Sequence, residues 1–237
     1  MKYSLYLESG PRRHKTMVHV LDLLGCIAQG VTTDAALQTL PGAIRRYLDF
    51  LHQHGESVDP QADFTTVIAQ HVTQGPWLGN GDPAPGFTPD FLPLSAPDRD
   101  IHTQRLEWIL SSLLELVHDL PPEHLAARPG GPQRSFQQIL EHVAESQAVY
   151  LRYLVGRVDG LSEALRAVKQ NPQTLPSTLP DLWQICSMRL KAMTGEERAQ
   201  QVNHGQVTWT ARRALRRMLE HAWEHHLEIS RRLGAVR

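Results

Sequence analysis

Between Leu219 and Ser230 the chain reads LEHAWEHHLEIS, with His221, His225 and His226 close together. A helix turns about 100° per residue, so His221 and His225, four apart, stand one turn above the other on a single face, and His226 points elsewhere. Two imidazoles placed in this way can serve one metal ion, but they need a third ligand from another helix. The segment ILEHVAE offers one. Its His142 falls about 60° to one side of Ile139, on the shoulder of an apolar stripe. His221 and His225 sit on the matching shoulder of the stripe through Leu215, Met218, Ala222 and Ile229, so packing the two stripes together would bring three imidazoles to one mouth. Neutral imidazoles suit Zn²⁺, Ni²⁺ or Fe²⁺ better than Mg²⁺ or Ca²⁺. Three protein ligands leave coordination open, which suits hydrolysis or thiol addition. Glu141, Glu145 and Glu224 are near enough in sequence to orient a ligand or to move a proton. Glu145, one turn from His142, is the preferred one. From spacing alone, a solvated polar rim remains the other reading of the same residues.

These residues need long helices to position them, and the second half of the chain supplies the pattern. Leu106, Ile109, Leu113, Leu116 and Leu120 recur at helical spacing up to Pro121-Pro122. SFQQ, with Ser135 and Gln138, is a capping box opening a helix that carries Ile139, Leu140, Val143, Tyr150 and Leu154. A third helix is expected after Ser177 and Thr178, with Pro180 in its first turn and Leu182, Ile185, Cys186, Leu190 and Met193 as its stripe. The fourth starts near Thr208 to Thr210 and runs to Leu233, with Gly234 behind it. Four such stripes bury themselves most economically against one another, as a four-helix bundle. The long connections at 156–177 and 195–207 favour crossovers over a simple up-and-down path. The arginines Arg212, Arg213, Arg216, Arg217, Arg231 and Arg232, interleaved with Glu220, Glu224 and Glu228, read as a salt-bridged solvent face.

The first half reads as α+β. Tyr3, Leu5 and Leu7 alternate with polar residues and Met17 to Leu21 is apolar, giving two strands joined through Gly10-Pro11. GCIAQG fits a third strand and FTTVIAQHV a fourth. Between them, Thr32 or Thr33 caps a helix with Ala36, Leu37, Leu40, Ile44, Tyr47, Leu48 and Leu51 on one face and Gly55 past its end. A kink or break is expected at Pro41-Gly42. From Gln74 to Asp98 the prolines Pro76, Pro83, Pro85, Pro89, Pro93 and Pro97 mark a connection, and its Trp77, Phe87, Phe91, Leu92 and Leu94 imply packing along a surface. The expected division is an α+β domain at 1–73 (a small β-sheet with a packed helix), a Pro/Gly-rich linker at 74–98 and an all-α four-helix bundle at 99–237.

The 237 residues carry a formal net charge of -1. This balance gives no global drive toward nucleic acid or an anionic membrane surface. No segment has the length of a transmembrane helix and the start lacks a long apolar leader, so the expected location is cytoplasmic. Cys26 and Cys186, far apart in apolar contexts, read as reduced core thiols. His118, His124, His204 and His226 read as surface residues, and Trp209 and Trp223 as packing anchors.

Two resemblances add to this. HVLDLLGCIAQGVTTDAALQTLPGAIRRYLDFLHQHGE resembles the HicB-like domain of bacterial antitoxins over roughly residues 1–73, which implies a compact sheet with a helix on it and contacts with a protein partner. Leu24 stands where that family has proline, Pro41 interrupts the helix, and no DNA-binding partner motif follows, so the fold carries over and the antitoxin activity does not. LEHVAESQ and RRALRRMLEHAWEHHLEISRRLG resemble the DinB-like family over roughly 99–237. That implies a four-helix bundle around a divalent metal, with His142 matching the family's helix-two histidine and His221 and His225 its later pair. It also implies thiol-dependent transfer or isomerisation, or metal-dependent hydrolysis, and a homodimer. The combined expectation is a Zn- or Ni-binding protein acting on a small molecule through His142, His221 and His225, with Glu145 as the acid-base group. The alternative is a non-catalytic regulatory protein whose HicB-like part recognises a protein partner. Neither reading involves nucleic acid or membrane.

Overall fold

The computed structural model describes residues 1–11, 14–75, 77–81, 85–131, 133–170 and 174–234. Pro76 and Pro83 of the proline-rich stretch lie outside the described residues. The chain forms two compact units, Met1–Leu92 and Pro93–Arg237. None of the described helices is long and apolar enough to cross a membrane.

In the first unit, alternation along β1 (Lys2–Ser9) buries Tyr3, Leu5 and Leu7. β2 (His14–Val20) pairs antiparallel with β1 and with β3 (Ile27–Thr32). The helix α1 (Thr33–Gln53) follows, capped by the Thr32 hydroxyl, which accepts from the Ala35 N–H at 3.1 Å. It lays Ala36, Leu40, Ile44, Tyr47, Leu48 and Leu51 against the sheet, and Tyr47 Oη donates to the Leu24 carbonyl at 2.8 Å. Gly30 lets β3 approach this closely, since a Cβ there would stand 2.3 Å from the Ala36 backbone nitrogen. The expected break at Pro41-Gly42 is absent. α1 runs through Pro41 because both residues are exposed, while Leu40 and Ile44 on either side are buried and anchor both halves. Gly55, at φ +88°, ends the helix, its N–H donating to His52 O. β4 (Thr65–Val72) then pairs parallel to β1, giving the order β3-β2-β1-β4. After β4 the chain continues within this unit to Leu92, with Leu78 and Phe87 buried and a short 3₁₀ turn at Thr88–Phe91.

In the second unit, Ser95 caps α2 (Ala96–Val117), with Pro97 in its first turn. The short α3 (Pro122–Ala126) precedes α4 (Phe136–Val155), whose Ser135/Gln138 capping box is formed in both directions. Two long connections contain structure of their own: α5 (Leu161–Gln170) precedes α6 (Leu175–Lys191), and α7 (Gly195–Ala199) with a small hairpin, β5 (Val202–His204) and β6 (Val207–Trp209), precedes α8 (Ala211–Arg232). α6 starts earlier than its proline suggested. Pro176 occupies the first turn, Pro180 lies inside the helix, and Ser177 and Thr178 donate back to the Thr174 carbonyl instead of capping.

α2 and α4 each pack against both α6 and α8, so consecutive long helices α2 and α4 are not the paired neighbours of an up-and-down bundle. Ile109 and Leu113, Ile139 and Val143, Leu179 and Leu182, and Leu215 and Met218 form the buried interior. Each such side chain contributes about 1.5–3 kcal/mol through the water it leaves.

The arginine-glutamate pattern of α8 is not a solvent face. Arg213, Arg216, Arg217 and Glu220 are buried along with nearly every residue from Ala211 to Trp223, so this part of the helix has no exposed side on which to place charge. Glu220 Oε2 instead accepts from Arg216 and Arg217, each at 2.9 Å.

Candidate metal centre

α4 and α8 carry the three histidines, and their seam is set by apolar packing and one polar tie. Gln147, fully buried on α4, donates from Nε2 to the Met218 carbonyl of α8 at 3.1 Å. Five residues before Gln147 on α4, His142 faces His221 and His225, three and seven residues after Met218 on α8. The ring centroids are 4.8 Å apart for His142 and His221, 5.3 Å for His142 and His225, and 4.6 Å for His221 and His225. One nitrogen from each ring lies within 4.8 Å of the others, and Nε2 of His142 is 3.0 Å from Nε2 of His221. Among the described residues these three form the one group of histidines, cysteines and carboxylates with such geometry.

Position and charge keep His142 and His221 neutral. Burial, followed by Arg134 and His225, pushes His142 down to about 4. His221 is lowered well below its ordinary value, first by burial and then by His225 and His142. An unprotonated imidazole presents a lone pair, which a cation requires.

The third ring is oriented by a residue that the sequence reading had placed on a solvent face. His225 Nδ1 donates to Glu228 Oε2 at 2.8 Å, leaving Nε2 as the acceptor nitrogen. This bond, then Arg232, hold the Glu228 carboxyl below its ordinary range against the opposing effect of burial. Arg232 is fixed in turn over the Phe136 ring, at 4.3 Å, and donates to the Arg134 carbonyl at 2.9 Å. Glu228 stands one helical turn after His225, and that spacing was the available signal.

The other candidates lie around this group in different roles. Glu145 pairs with Lys169 of α5 at 2.5 Å, and Glu141 accepts from Gln137 at 2.9 Å. His226 stacks on Trp223 and shares a 2.9 Å hydrogen bond with Ser112, while His204 bonds the Tyr153 carbonyl. His204 is exposed, as expected, while His226 is half-buried, and both rings lie against aromatic neighbours. Trp209 and Trp223 are buried. Cys186 is a buried free thiol pushed up to about 12 by burial, which makes it a poor nucleophile, and Cys26 is likewise free and buried.

A donor set of three imidazoles fits a divalent transition metal. The ligand atoms of two residues on one such ion sit about 3.3 Å apart, close to the 3.0 Å between Nε2 of His142 and Nε2 of His221, and all three ligand atoms lie within 4.8 Å of one another.

The model of a family described as the DinB superfamily matches residues 105–229. No curated protein matches the chain. Among solved structures it is similar to YfiT from Bacillus subtilis, described as "a probable metal-dependent hydrolase with an unusual four-helix bundle topology", at 21% identity and a TM-score of 0.45, covering 60% of this chain and 90% of that one.

Proposed function

Since the chain belongs to the DinB superfamily, we propose that it binds a divalent metal ion, Zn or Ni, through His142, His221 and His225 and uses it for hydrolysis or thiol-dependent transfer on a small molecule. The observation that carries this reading is the convergence of the three rings, with Nε2 of half-buried His142 and Nε2 of buried His221 3.0 Å apart and both rings unprotonated at neutral pH. Without a shared cation, one of those nitrogens must donate its proton to the other and the third lone pair gains nothing from the arrangement.

A bound ion supplies Lewis acidity and acidifies a water or thiol brought to it. The chain's own residues do the rest. Glu228 accepts a hydrogen bond from His225 Nδ1–H and holds that ring with Nε2 turned away from the carboxylate. Burial keeps His142 and His221 unprotonated at neutral pH. Glu145, one turn after His142 on α4, is the carboxylate proposed to accept a proton from the reacting group, and its pair with Lys169 must open for it to do so.

The test is alanine at each histidine in turn, with metal content, helical circular dichroism, and turnover on ester and thiol-transfer substrates measured together. Each variant should lose metal and turnover and keep its helicity. Full activity in His225→Ala contradicts the reading.

A second reading draws on the first unit. Its sequence resembles a HicB-like domain and it folds as three strands, a helix and a strand; on the resemblance, the unit recognises a protein partner while the metal centre serves as a sensor or stabiliser. Stoichiometric metal with no turnover across both substrate classes would favour it.

A further inference from the structure

Gln147 is fully buried on α4, five residues after His142, and half of its amide is used. Nε2 donates to the Met218 carbonyl of α8 at 3.1 Å, while Oε1 is sealed from solvent and has no hydrogen-bond partner among the described residues. His221 stands three residues after Met218, about one turn on, with its ring toward His142 of α4. Its Nε2 is 3.0 Å from Nε2 of His142, and its other nitrogen, Nδ1, is likewise sealed and unpartnered among the described residues. One turn of the seam between α4 and α8 therefore holds an amide oxygen and a ring nitrogen that are both left over, although buried polar atoms are nearly always paired.

The tautomer of His221 accounts for both. A neutral imidazole carries one N–H and one lone pair, so two Nε2 atoms at 3.0 Å bond each other only if one of them holds a proton. With that proton on Nε2 of His221, its Nδ1 is an acceptor, and the amide oxygen of Gln147 is an acceptor too, so the two have nothing to exchange. A cation held by the Nε2 lone pairs of both rings reverses this, because the proton of neutral His221 then sits on Nδ1, which becomes a donor in need of an acceptor. His225 already has that form, with Nδ1 donating to Glu228. We propose that Gln147 is the positioning residue for His221, its Oε1 accepting from Nδ1–H once the centre is loaded, so that the ring changes from the Nε2–H to the Nδ1–H tautomer on binding. This rests on the metal-centre reading above. One proton leaves Nε2 and one is taken up at Nδ1, so His221 stays neutral, and the bond to Met218 holds the amide in place throughout.

The test follows the histidine nitrogens of the isotope-labelled full-length chain by long-range proton–nitrogen NMR, metal-free and then titrated with Zn²⁺, in the wild type, Gln147→Leu and Gln147→Glu. Leucine removes both halves of the amide, whereas glutamate removes the amide donor to Met218 and keeps an acceptor for His221. The expected wild type shows His221 as the Nε2–H form without metal and as the Nδ1–H form, with a proton protected from exchange, after Zn²⁺. Zn²⁺ affinity should fall about tenfold or more in Gln147→Leu and stay within about threefold of the wild type in Gln147→Glu. Equal loss in both variants assigns Gln147 to the Met218 tie alone and overturns the proposal, as does unchanged affinity in Gln147→Leu. A metal-free wild type already in the Nδ1–H form, or a Zn²⁺-loaded one with no Nδ1 proton on His221, overturns it too, and these two readouts need no variant to fold. A wild type that takes up no Zn²⁺ contradicts the metal reading itself, and the proposal falls with it for that separate reason.

Discussion

Replacing Glu220 with alanine should cost more stability than any exposed charge in the molecule. Its carboxylate accepts from Arg216 and Arg217 at 2.9 Å each, and all three side chains are 1% exposed. Taking three charged groups out of water costs several kcal/mol per ion, and the shared carboxylate is what offsets much of that cost for the two guanidiniums. Removing it leaves two positive charges side by side without that partner, so the expected loss is about 3–5 kcal/mol. For a domain of this size that corresponds to a midpoint lowered by roughly 6–20 °C. Glu220→Gln should fall between wild type and Glu220→Ala, because its amide oxygen still accepts from one arginine. The assay is urea unfolding followed by far-ultraviolet circular dichroism, with Arg157→Ala as the comparison, since the Arg157–Asp159 pair is 93% and 97% exposed and its loss should leave the transition where it was. A Glu220→Ala loss below about 1 kcal/mol would refute the argument that this buried triad holds the part of α8 that carries the histidines.

Other expectations concern protons and the first unit. At pH 6 an ordinary imidazole is about three-quarters protonated, so loading metal on three of them would release more than two protons; with His142 at about 4 and His221 well below its ordinary value, those two should contribute almost none, read by calorimetry in buffers of different ionisation enthalpy. Release of two or more contradicts the burial argument. The same downward shifts mean that the unfolded chain takes up protons before the folded one, so metal-free protein should lose stability as pH falls from about 6.5 toward 4, and His142→Asn should flatten that slope in a urea series. Pro41→Ala should stabilise the first unit by about 1–2 kcal/mol, because it restores the helical hydrogen bond that the proline removes from α1 and relieves a clash at an exposed site. A lowered unfolding midpoint would show that the ring contributes packing after all.

Much of the centre was legible because the signals were local. The i, i+4 spacing of His221 and His225, the shoulder position of His142 and the Ser135/Gln138 box all follow from helix geometry, and Thr210 capping α8 was within the expected range. What could not be read depended on tertiary surroundings. A charged i, i+3 and i, i+4 pattern looks the same whether it faces water or, as with Arg216, Arg217 and Glu220, is sealed from it. The parallel pairing of β4 with β1 is set by which strands meet across the sheet, and no alternation within β4 reports its neighbour. α3, α7 and the β5-β6 hairpin are too short to show a period, and α5 lay in a stretch read only as a connection. The spacing of Glu228 suits a solvated charge and a ring partner equally, and its bond to His225 distinguishes the two.

The most direct test of the metal centre is elemental analysis of the untagged full-length chain purified without chelator or added metal, beside the His142→Ala, His221→Ala, His225→Ala triple variant. The account predicts close to one Zn or Ni per chain in the wild type and none in a triple variant that remains helical. No metal in the wild type even after loading with Zn²⁺ or Ni²⁺, or equal metal in the two proteins, would contradict it.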